Sequence, residues 1–212
     1  MGGLFITFEG IDGSGKSTQL DLLELELKRR GLDVIVTREP GGTQIGEAVR
    51  ALMVSDASVR ITPVAELLLY VADRAQHVNE MIRPALEQGR IVISDRYTDS
   101  TVAFQGYGRG LDLKMIDELN RIATGGLTPD LTIIFDVDPL VARTRQRSSP
   151  VGGLLGAFDE QDIEFHSRMR DGYFKLAFAE PSRVCVIDAS GAAEITHDRV
   201  MELVLPKVSP ES

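Results

Sequence analysis

Gly10-Ile11-Asp12-Gly13-Ser14-Gly15-Lys16-Ser17 is the stretch around which the rest of this chain is organised. It matches G-x-x-x-x-G-K-[ST], the pattern of a phosphate-binding loop. The run at 4–8 before it is apolar and rich in β-branched and aromatic side chains, which predicts a buried parallel strand. The segment after it repeats leucine at helical spacing, at Leu20, Leu23 and Leu27, and ends at Gly31. The order strand, glycine loop, helix predicts a nucleoside-triphosphate site.

The chemistry of this loop follows from its residue types. Glycines allow backbone N–H groups to turn inward around phosphate oxygens, and the helix N-terminus adds partial positive charge. Lys16 would reach the β- and γ-phosphates, and the Ser17 hydroxyl would bind Mg²⁺. The alternative is a chance glycine-rich turn, and the flanking strand and helix argue against it.

Length and composition indicate one α/β domain. The chain has 212 residues, of which 43% are hydrophobic and 26% are charged. A net charge of −9 argues against a general nucleic-acid-binding protein, although a few local cations can still bind phosphate ligands. Cys185 is the only cysteine, which excludes an intramolecular disulfide and favours a cytoplasmic setting.

We see no signal peptide and no apolar run near the ~18 residues that a membrane-spanning helix needs. His77, His166 and His197 have no metal-ligand spacing and are interpreted as ordinary helix residues.

Strands and helices alternate along the chain, which predicts a parallel sheet covered on both faces. The predicted strands are 4–8, 33–37, 91–94, 131–137 and 184–187. The predicted helices after the first are 45–53, 62–88 with a kink at Pro84, 112–123 and 139–147, and a last one ends near Lys207. Before that last helix, another is predicted from the apolar face formed by Phe158, Phe165, Met169, Tyr173 and Leu176. The glycines at 106–110 are interpreted as a break, and 148–157 as a mobile loop.

Several charged residues follow predicted strands or lie on predicted helices. Asp95 ends the third strand, where P-loop proteins hold Mg²⁺, although a helix cap is the alternative. Arg96 cannot lose its charge and suits a phosphoryl group during transfer, and Arg38 and Arg74 are further candidates. Tyr70 and Arg74 are four residues apart and share a helix face, so they could stack on a base and read it. The alternative for that pair is an exposed contact within the helix.

Three arginines, Arg143, Arg145 and Arg147, lie at the end of a predicted helix before the loose loop. They could be partners of the helix dipole, or they could close over a triphosphate and supply cations. Spacing alone leaves both readings open.

Short motifs along nearly the whole chain carry a resemblance to a known family. They are FEGIDGSGKSTQ at 8–19, TREPGGT at 37–43, ADRAQH at 72–77, DRYTDST at 95–101, FQG at 104–106, PDLT at 129–132 and DA at 188–189. With these motifs the sequence closely resembles bacterial thymidylate kinases.

The resemblance implies transfer of the γ-phosphate of ATP to dTMP, giving dTDP and ADP, in dTTP synthesis. It also implies an α/β P-loop kinase fold, in which a five-stranded parallel sheet is flanked by helices on both faces. The whole chain, 1–212, would form a single domain with a mobile lid at about 147–158. Mg²⁺ is the implied cofactor and a homodimer the implied assembly, with ATP and dTMP as ligands and neither nucleic acid nor membrane as a partner.

The resemblance also assigns residues. The ATP-binding residues would be Gly10, Ile11, Asp12, Gly13, Ser14, Gly15, Lys16, Ser17, Thr18, Arg143 and Asp188. The dTMP-binding residues would be Glu9, Asp12, Arg38, Tyr70, Arg74, Arg96, Thr101, Phe104 and Gln105. Ser17 and Asp95 would hold the metal, and Lys16, Arg96 and Asp12 would act on the transferred phosphoryl group. To these catalytic residues we add Arg145 and Arg147 as our own hypothesis, explained below. Tyr70 stands where the family usually has a phenylalanine that stacks on thymine, and Phe104 would crowd out a ribose 2′-hydroxyl.

One departure from the family pattern concerns its catalytic arginine, which lies either in the phosphate loop or in the lid. Gly13 occupies the loop position, which assigns the chain to the lid-dependent type. The lid pattern Asp-Arg before Phe-Glu reads Gly-Ala-Phe-Asp at 156–159, so the usual lid arginine is missing. We hypothesise that Arg145 or Arg147 replaces it. The alternatives are a P-loop kinase for another nucleoside or nucleoside monophosphate, and a regulator that binds nucleotide without transfer.

Overall fold

The structure is a computed structural model that describes residues 2–54, 61–147 and 163–208. The five strands found there are β1 (Leu4–Glu9), β2 (Val34–Arg38), β3 (Ile91–Asp95), β4 (Leu131–Asp136) and β5 (Val184–Asp188). They form one parallel sheet in the order β2-β3-β1-β4-β5. The predicted five-stranded parallel sheet is confirmed.

Helices cover both faces of the sheet. Within the described residues they are α1 (Lys16–Arg29), α2 (Gln44–Val54), α3 (Pro63–His77), α4 (Arg83–Glu87), α5 (Thr98–Thr101), α6 (Leu113–Thr124), α7 (Pro139–Arg147), α8 (Ile163–Ala179) and α9 (Ala193–Val208). None of the helices described is long and apolar enough to cross a bilayer. Local sequence sets several of the helix ends: the Asp112 carboxylate caps α6 by accepting the Met115 N–H at 2.8 Å, and Gly125 ends that helix with a φ of 59°.

The alternation of side chains along β1 builds two cores. Ile6 points to one face, where it packs in a buried cluster with Leu23 of α1 and Val200 of α9. Phe5 points to the other face and joins a buried cluster with Ile82. Because successive strand side chains face opposite sides and both sides are covered by helices, the strand reads as a continuous apolar run.

The carboxyl ends of three neighbouring strands place the site. β1 leads into the glycine-rich loop, β2 ends at Arg38 and β3 ends at Asp95. In the parallel register, Asp95 is paired with Phe8 on one side and with Arg38 on the other. Ligands of open parallel sheets bind at this edge.

The prediction of one helix over 62–88 is wrong in its middle. A wider π-helical turn, Val78–Ile82, separates α3 from α4. Pro84 has no N–H to donate, and its ring would collide with the carbonyl four residues earlier, which is a known reason for such a departure.

The prediction of a break at 106–110 is wrong at its start. After α5 the chain continues as a π-helical segment, Val102–Gly108. The glycines there permit close packing rather than a turn: a Cβ at Gly106 would lie 2.5 Å from a methyl of Leu113, and one at Gly108 2.7 Å from the ring of Phe165.

Candidate active site

The glycine-rich loop joins β1 to α1 in a backbone conformation that glycine adopts readily. Gly10 and Gly13 have φ values of 133° and 81°. A Cβ at Gly13 would lie 2.3 Å from the carbonyl oxygen of Ala142. The buried Lys16 ammonium donates back across the loop to the carbonyl oxygens of Gly10 and Ile11, at 3.1 and 3.2 Å, and burial lowers its pKa. The loop therefore offers backbone N–H groups and a cation to a phosphate.

Arg96 follows β3 with a left-handed backbone, at a φ of 73°. Its Nη2 lies 2.5 Å from Oδ1 of Asp12, and its Nη1 donates to the Gly10 carbonyl and to Ser100 Oγ, both at 3.1 Å. The guanidinium lies 4.8 Å from the centre of the Phe104 ring. Burial alone would raise the pKa of Asp12, but the charge of Arg96 holds that pKa below its ordinary value. Arg96 thus links the phosphate loop to the end of β3.

Glu9 lies at the end of β1 and is 0% exposed. Its carboxylate accepts hydrogen bonds from the Tyr97 N–H at 2.8 Å, the Ser100 hydroxyl at 2.5 Å and the Tyr173 hydroxyl at 3.0 Å. Burial, followed by repulsion from Asp99, raises the pKa of Glu9 to about 7. Through Tyr97 and Ser100, Glu9 therefore anchors the segment that carries Arg96.

Arg74 is fully enclosed, with 1% exposure. Its Nε and Nη2 contact the Glu39 carboxylate at 2.8 and 2.7 Å, and Nη2 also donates to the Tyr97 carbonyl at 2.9 Å. Its Nη1 donates to Thr101 Oγ1 and Asn120 Oδ1, at 2.9 and 2.7 Å. Each of its N–H groups has an acceptor within the protein, so donation to a base would require that one of these contacts be given up.

His77 belongs to the same buried network, and the interpretation of it as an ordinary helix residue is wrong. Its Nδ1 lies 3.0 Å from Glu39 and its Nε2 lies 2.7 Å from the Thr37 hydroxyl. Asp73, also 0% exposed, accepts the Gly41 N–H at 3.3 Å. Burial and the nearby Glu39 carboxylate raise the pKa of Asp73 to about 7. The network joins α3 to the loop after β2.

A cavity of about 520 Å³ opens above these groups. The predicted site residues that line it are Asp12, Gly13, Gly15, Lys16, Ser17, Thr18, Arg38, Tyr70, Arg74, Asp95, Arg96, Thr101, Phe104, Gln105 and Arg145. The lining residues that the sequence did not single out are Glu39, Pro40, Arg50, Ser100 and Gln146. The predicted residues outside this lining are Glu9, Gly10, Ile11, Ser14, Arg143 and Asp188. One cavity thus joins the phosphate loop to the predicted base-binding residues.

Two arginines occupy the rim of the cavity on the β2 side. Arg38 is half exposed, and its Nη2 is paired with Glu47 at 3.0 Å. Arg50 donates from Nη1 to the Pro40 carbonyl at 3.1 Å. Burial and the neighbouring Arg38 lower the pKa of Arg50, and the close approach of two cations is suited to an anion between them.

The oxygen donors of Ser17 and Asp95 suit a divalent cation. Both residues line the cavity, and Asp95 Oδ1 is buried with no hydrogen-bond partner among the described residues. An unpaired buried carboxylate oxygen is costly unless a ligand or ion satisfies it. The described residues contain no cluster of three or more His, Cys, Asp or Glu side chains that could enclose a metal. The cation would therefore share its coordination with phosphate oxygens and water.

Arg145 also lines the cavity. Its Nη1 donates to the Ala189 carbonyl at 2.8 Å and its Nη2 to the Ser190 carbonyl at 2.6 Å. These contacts hold α7 to the loop after β5, where Asp188 accepts the Ser190 N–H at 2.9 Å. Arg143 is exposed and does not line the cavity. The predicted lid after Arg147, the side chain of Arg147, and Phe158 lie outside the described residues.

The comparisons with known proteins agree on one family. The thymidylate kinase family model matches residues 8–200. The chain belongs to the thymidylate kinase family. It is 48% identical to the thymidylate kinase of Solidesulfovibrio magneticus, over 95% of this chain and 98% of that protein. It is 47% identical to that of Trichormus variabilis, over 97% of each chain. The crystal structure of thymidylate kinase from Ehrlichia chaffeensis has 39% sequence identity and a TM-score of 0.76, covering 96% of this chain and 99% of that one.

Four residues of the site, Arg50, Glu39, Ser100 and Tyr173, were not predicted from the sequence. Arg50 lies on a short amphipathic helix without a motif that marks it. Glu39 lies inside the TREPGGT motif, which marks it as a candidate site residue. The motif gives no indication that Glu39 pairs with Arg74. Ser100 likewise stands inside DRYTDST. Tyr173 is one of a stripe of apolar residues along α8, and nothing local indicates that its hydroxyl meets Glu9.

Proposed function

We propose that this protein transfers the γ-phosphate of ATP to dTMP, producing dTDP and ADP for dTTP synthesis. Membership of the thymidylate kinase family and a P-loop kinase fold support this reaction. The observation that carries the proposal is the single cavity lined by Lys16 and Ser17 of the phosphate loop and also by Arg96, Tyr70 and Gln105. A donor triphosphate and an acceptor nucleotide can therefore meet in one site.

The chemistry requires that two anions approach each other. A phosphate oxygen of a nucleoside monophosphate is already ionised near neutral pH, so it needs no strong general base to attack the γ-phosphoryl group. Catalysis then rests on positioning and on cations placed around the transferred group. Lys16 and Arg96 supply fixed positive charge in the cavity, and Arg38 and Arg50 add charge at its rim. A water-poor pocket strengthens each of these interactions.

Mg²⁺ is the proposed cofactor, held by Ser17 and Asp95. When bound, Mg²⁺ would neutralise charge on the β- and γ-phosphates. The unpaired Asp95 Oδ1 supports this assignment. We expect Asp95→Asn to raise the Mg²⁺ concentration that gives half-maximal turnover, with magnesium titration as the measurement.

The remaining roles are those that membership of the family implies. Tyr70 would stack on the thymine ring, Thr101 and Gln105 would contact its edge, and Phe104 would exclude a 2′-hydroxyl. Asp12, a residue of the phosphate loop that is paired with Arg96, would lie beside the acceptor phosphate. Glu9 acts through Ser100 and Tyr97 rather than by direct contact with dTMP, since it does not line the cavity.

The test is ADP release with ATP and Mg²⁺ across dTMP, dUMP, dCMP, dGMP and thymidine. We expect kcat/KM for dTMP to exceed that of the other acceptors. A preference for another monophosphate would make the protein a kinase for that substrate. ATP binding without acceptor-dependent ADP release would favour a nucleotide-binding regulator and refute the proposed reaction.

The single domain, the homodimer and the cytoplasmic setting stay predictions. Sedimentation equilibrium of the purified protein measures the assembly directly, and a mass of twice 23.2 kDa is the expected result.

A further inference from the structure

The carboxamide of Gln105 donates a hydrogen bond to the carboxylate of Glu66. Gln105 is 1% exposed and lines the cavity. Its Nε2 lies 2.6 Å from Oε1 of Glu66, a residue in the first turn of α3 that does not line the cavity. The other carboxylate oxygen of Glu66 is paired with Arg109 Nη2 at 3.1 Å. Glu66 is thus a partly buried anion, with a side chain 14% exposed, directed at an amide in the cavity wall.

This contact determines which way the amide points. An ionised carboxylate can only accept hydrogen bonds, and a glutamine carboxamide has one end that donates and one end that accepts. The NH₂ end must therefore face Glu66, because the opposite orientation would place two acceptors in contact. Among the described residues none donates a hydrogen bond to Gln105 Oε1. The oxygen is left as the acceptor that Gln105 presents to a ligand.

Glu66 also stands beside the surface on which a base would lie. Tyr70 follows Glu66 by four residues on α3, so both share one helix face, and Tyr70 lines the same cavity as Gln105. A base stacked on the Tyr70 ring would therefore share the cavity with the Gln105 carboxamide.

We propose that Glu66 is a specificity-determining positioning residue, which holds Gln105 so that the site accepts pyrimidines with a ring N–H donor and rejects those with a ring nitrogen acceptor. The inference rests on the proposed function. Thymine and uracil carry an N–H at N3, which Gln105 Oε1 can accept. Cytosine carries a lone pair at N3, which would face that same oxygen. Accepting cytosine would require the amide to turn, with its oxygen against the Glu66 carboxylate.

The experiment uses Glu66→Gln and compares dUMP with dCMP, two acceptors that have no 5-methyl group and differ only at N3 and C4. A neutral side chain at 66 can donate or accept, so it no longer dictates the orientation of Gln105. We expect the ratio of kcat/KM for dUMP over dCMP to fall by about tenfold, the scale of one hydrogen bond. For dTMP, KM should rise while kcat stays within a few-fold of the wild-type value, because the contact is remote from the transferred phosphoryl group. The ratio is internal to one preparation and KM does not depend on enzyme concentration, so a reduced fraction of folded enzyme alters neither.

Three further variants separate positioning from a general loss of structure. Glu118→Gln removes a carboxylate of the same type from an exposed pair with Arg121, and it should keep the wild-type ratio. In a Gln105→Ala background, Glu66→Gln should cause no further change in the ratio, since Glu66 acts through Gln105. The Glu66→Gln, Gln105→Glu double variant exchanges amide and carboxylate, which again leaves an acceptor toward the base, and it should restore the preference for dUMP over dCMP.

A wild-type ratio in Glu66→Gln, or an equal effect of this substitution with and without Gln105, would overturn the inference while dTMP kinase activity stands. Absence of dTMP turnover in the unaltered protein would instead refute the proposed function.

Discussion

The guanidinium of Arg74 lies 2.7 Å from the carboxylate of Glu39, and both side chains are 1% exposed. His77 contacts the other oxygen of the same carboxylate at 3.0 Å. The pair joins α3 to the loop after β2, and both residues line the cavity. Its charges and hydrogen bonds are satisfied within the protein, so the arrangement depends on both partners being present.

The Arg74–Glu39 pair predicts a large stability effect. Glu39→Gln leaves the Arg74 charge buried without its counter-ion, and we expect the free energy of unfolding to fall by about 3–5 kcal/mol. Urea denaturation measures it. Asp33→Asn is the control, since Asp33 is 68% exposed in its pair with Arg90 and should cost at most about 1 kcal/mol. Equal losses in the two variants would contradict the prediction.

The raised pKa of Glu9 predicts a pH-dependent stability. Burial raises this pKa from 4.5 to about 7, so the folded state binds the proton more tightly than the unfolded state. The contribution favours folding below pH 4.5 and is lost as the pH rises through about 7. Burial gives Asp73 a shift of the same sign. We expect the free energy of unfolding to fall less steeply between pH 5 and 8 in Glu9→Gln than in the wild type, by urea denaturation at each pH. Parallel curves would refute this.

Arg96 predicts a large kinetic effect. A lysine at this position cannot reach Asp12, the Gly10 carbonyl and Ser100 at once as the guanidinium does. We expect Arg96→Lys to lower kcat by about 10²–10³, the scale for losing a preorganised charge at the reacting group. Steady-state kinetics with ATP and dTMP is the measurement. Arg121→Lys, on an exposed face of α6, should stay within a few-fold of wild type, and a similar value for Arg96→Lys would disprove the role.

The arginines at the end of α7 test the hypothesis about the missing lid arginine. If Arg145 or Arg147 replaces it, Arg145→Ala or Arg147→Ala should lower kcat by about 10³ or more. Arg145 also holds the loop at Ala189 and Ser190, so its loss should raise the KM for ATP in addition. Arg29→Ala, at a side chain 73% exposed, is the control. If both lid-side variants kept kcat within a few-fold, neither arginine would be the replacement.

Much of the fold follows from local patterns. The strand, glycine loop and helix at the N-terminus are predictable because a continuous apolar run, positive-φ glycines and a leucine repeat are each properties of neighbouring residues. The five strands follow from short apolar runs between helices. The two errors, at Val78–Ile82 and Val102–Gly108, occur where a helix widens, which depends on hydrogen bonds that local composition does not record.

Part of the candidate site also follows from the sequence. Motifs identified Lys16 and Arg96, helical spacing identified Tyr70, and the structure brings all three to one cavity. The resemblance to the family also named Arg143 and Asp188, which do not line it. Motifs report residue types in order, and they carry no information about which side of a helix or loop faces a ligand.

The sequence by itself determined the phosphate loop, the parallel sheet and the edge at which ligands bind, because these depend on backbone propensities and on spacing within a few residues. Only the tertiary structure decided which polar groups meet. Glu9 and Tyr173 are 164 residues apart, and Glu66 and Gln105 are 39 apart, yet each pair is in hydrogen-bond contact. A buried carboxylate must find donors, and the donors that reach it are set by how distant elements pack around the sheet.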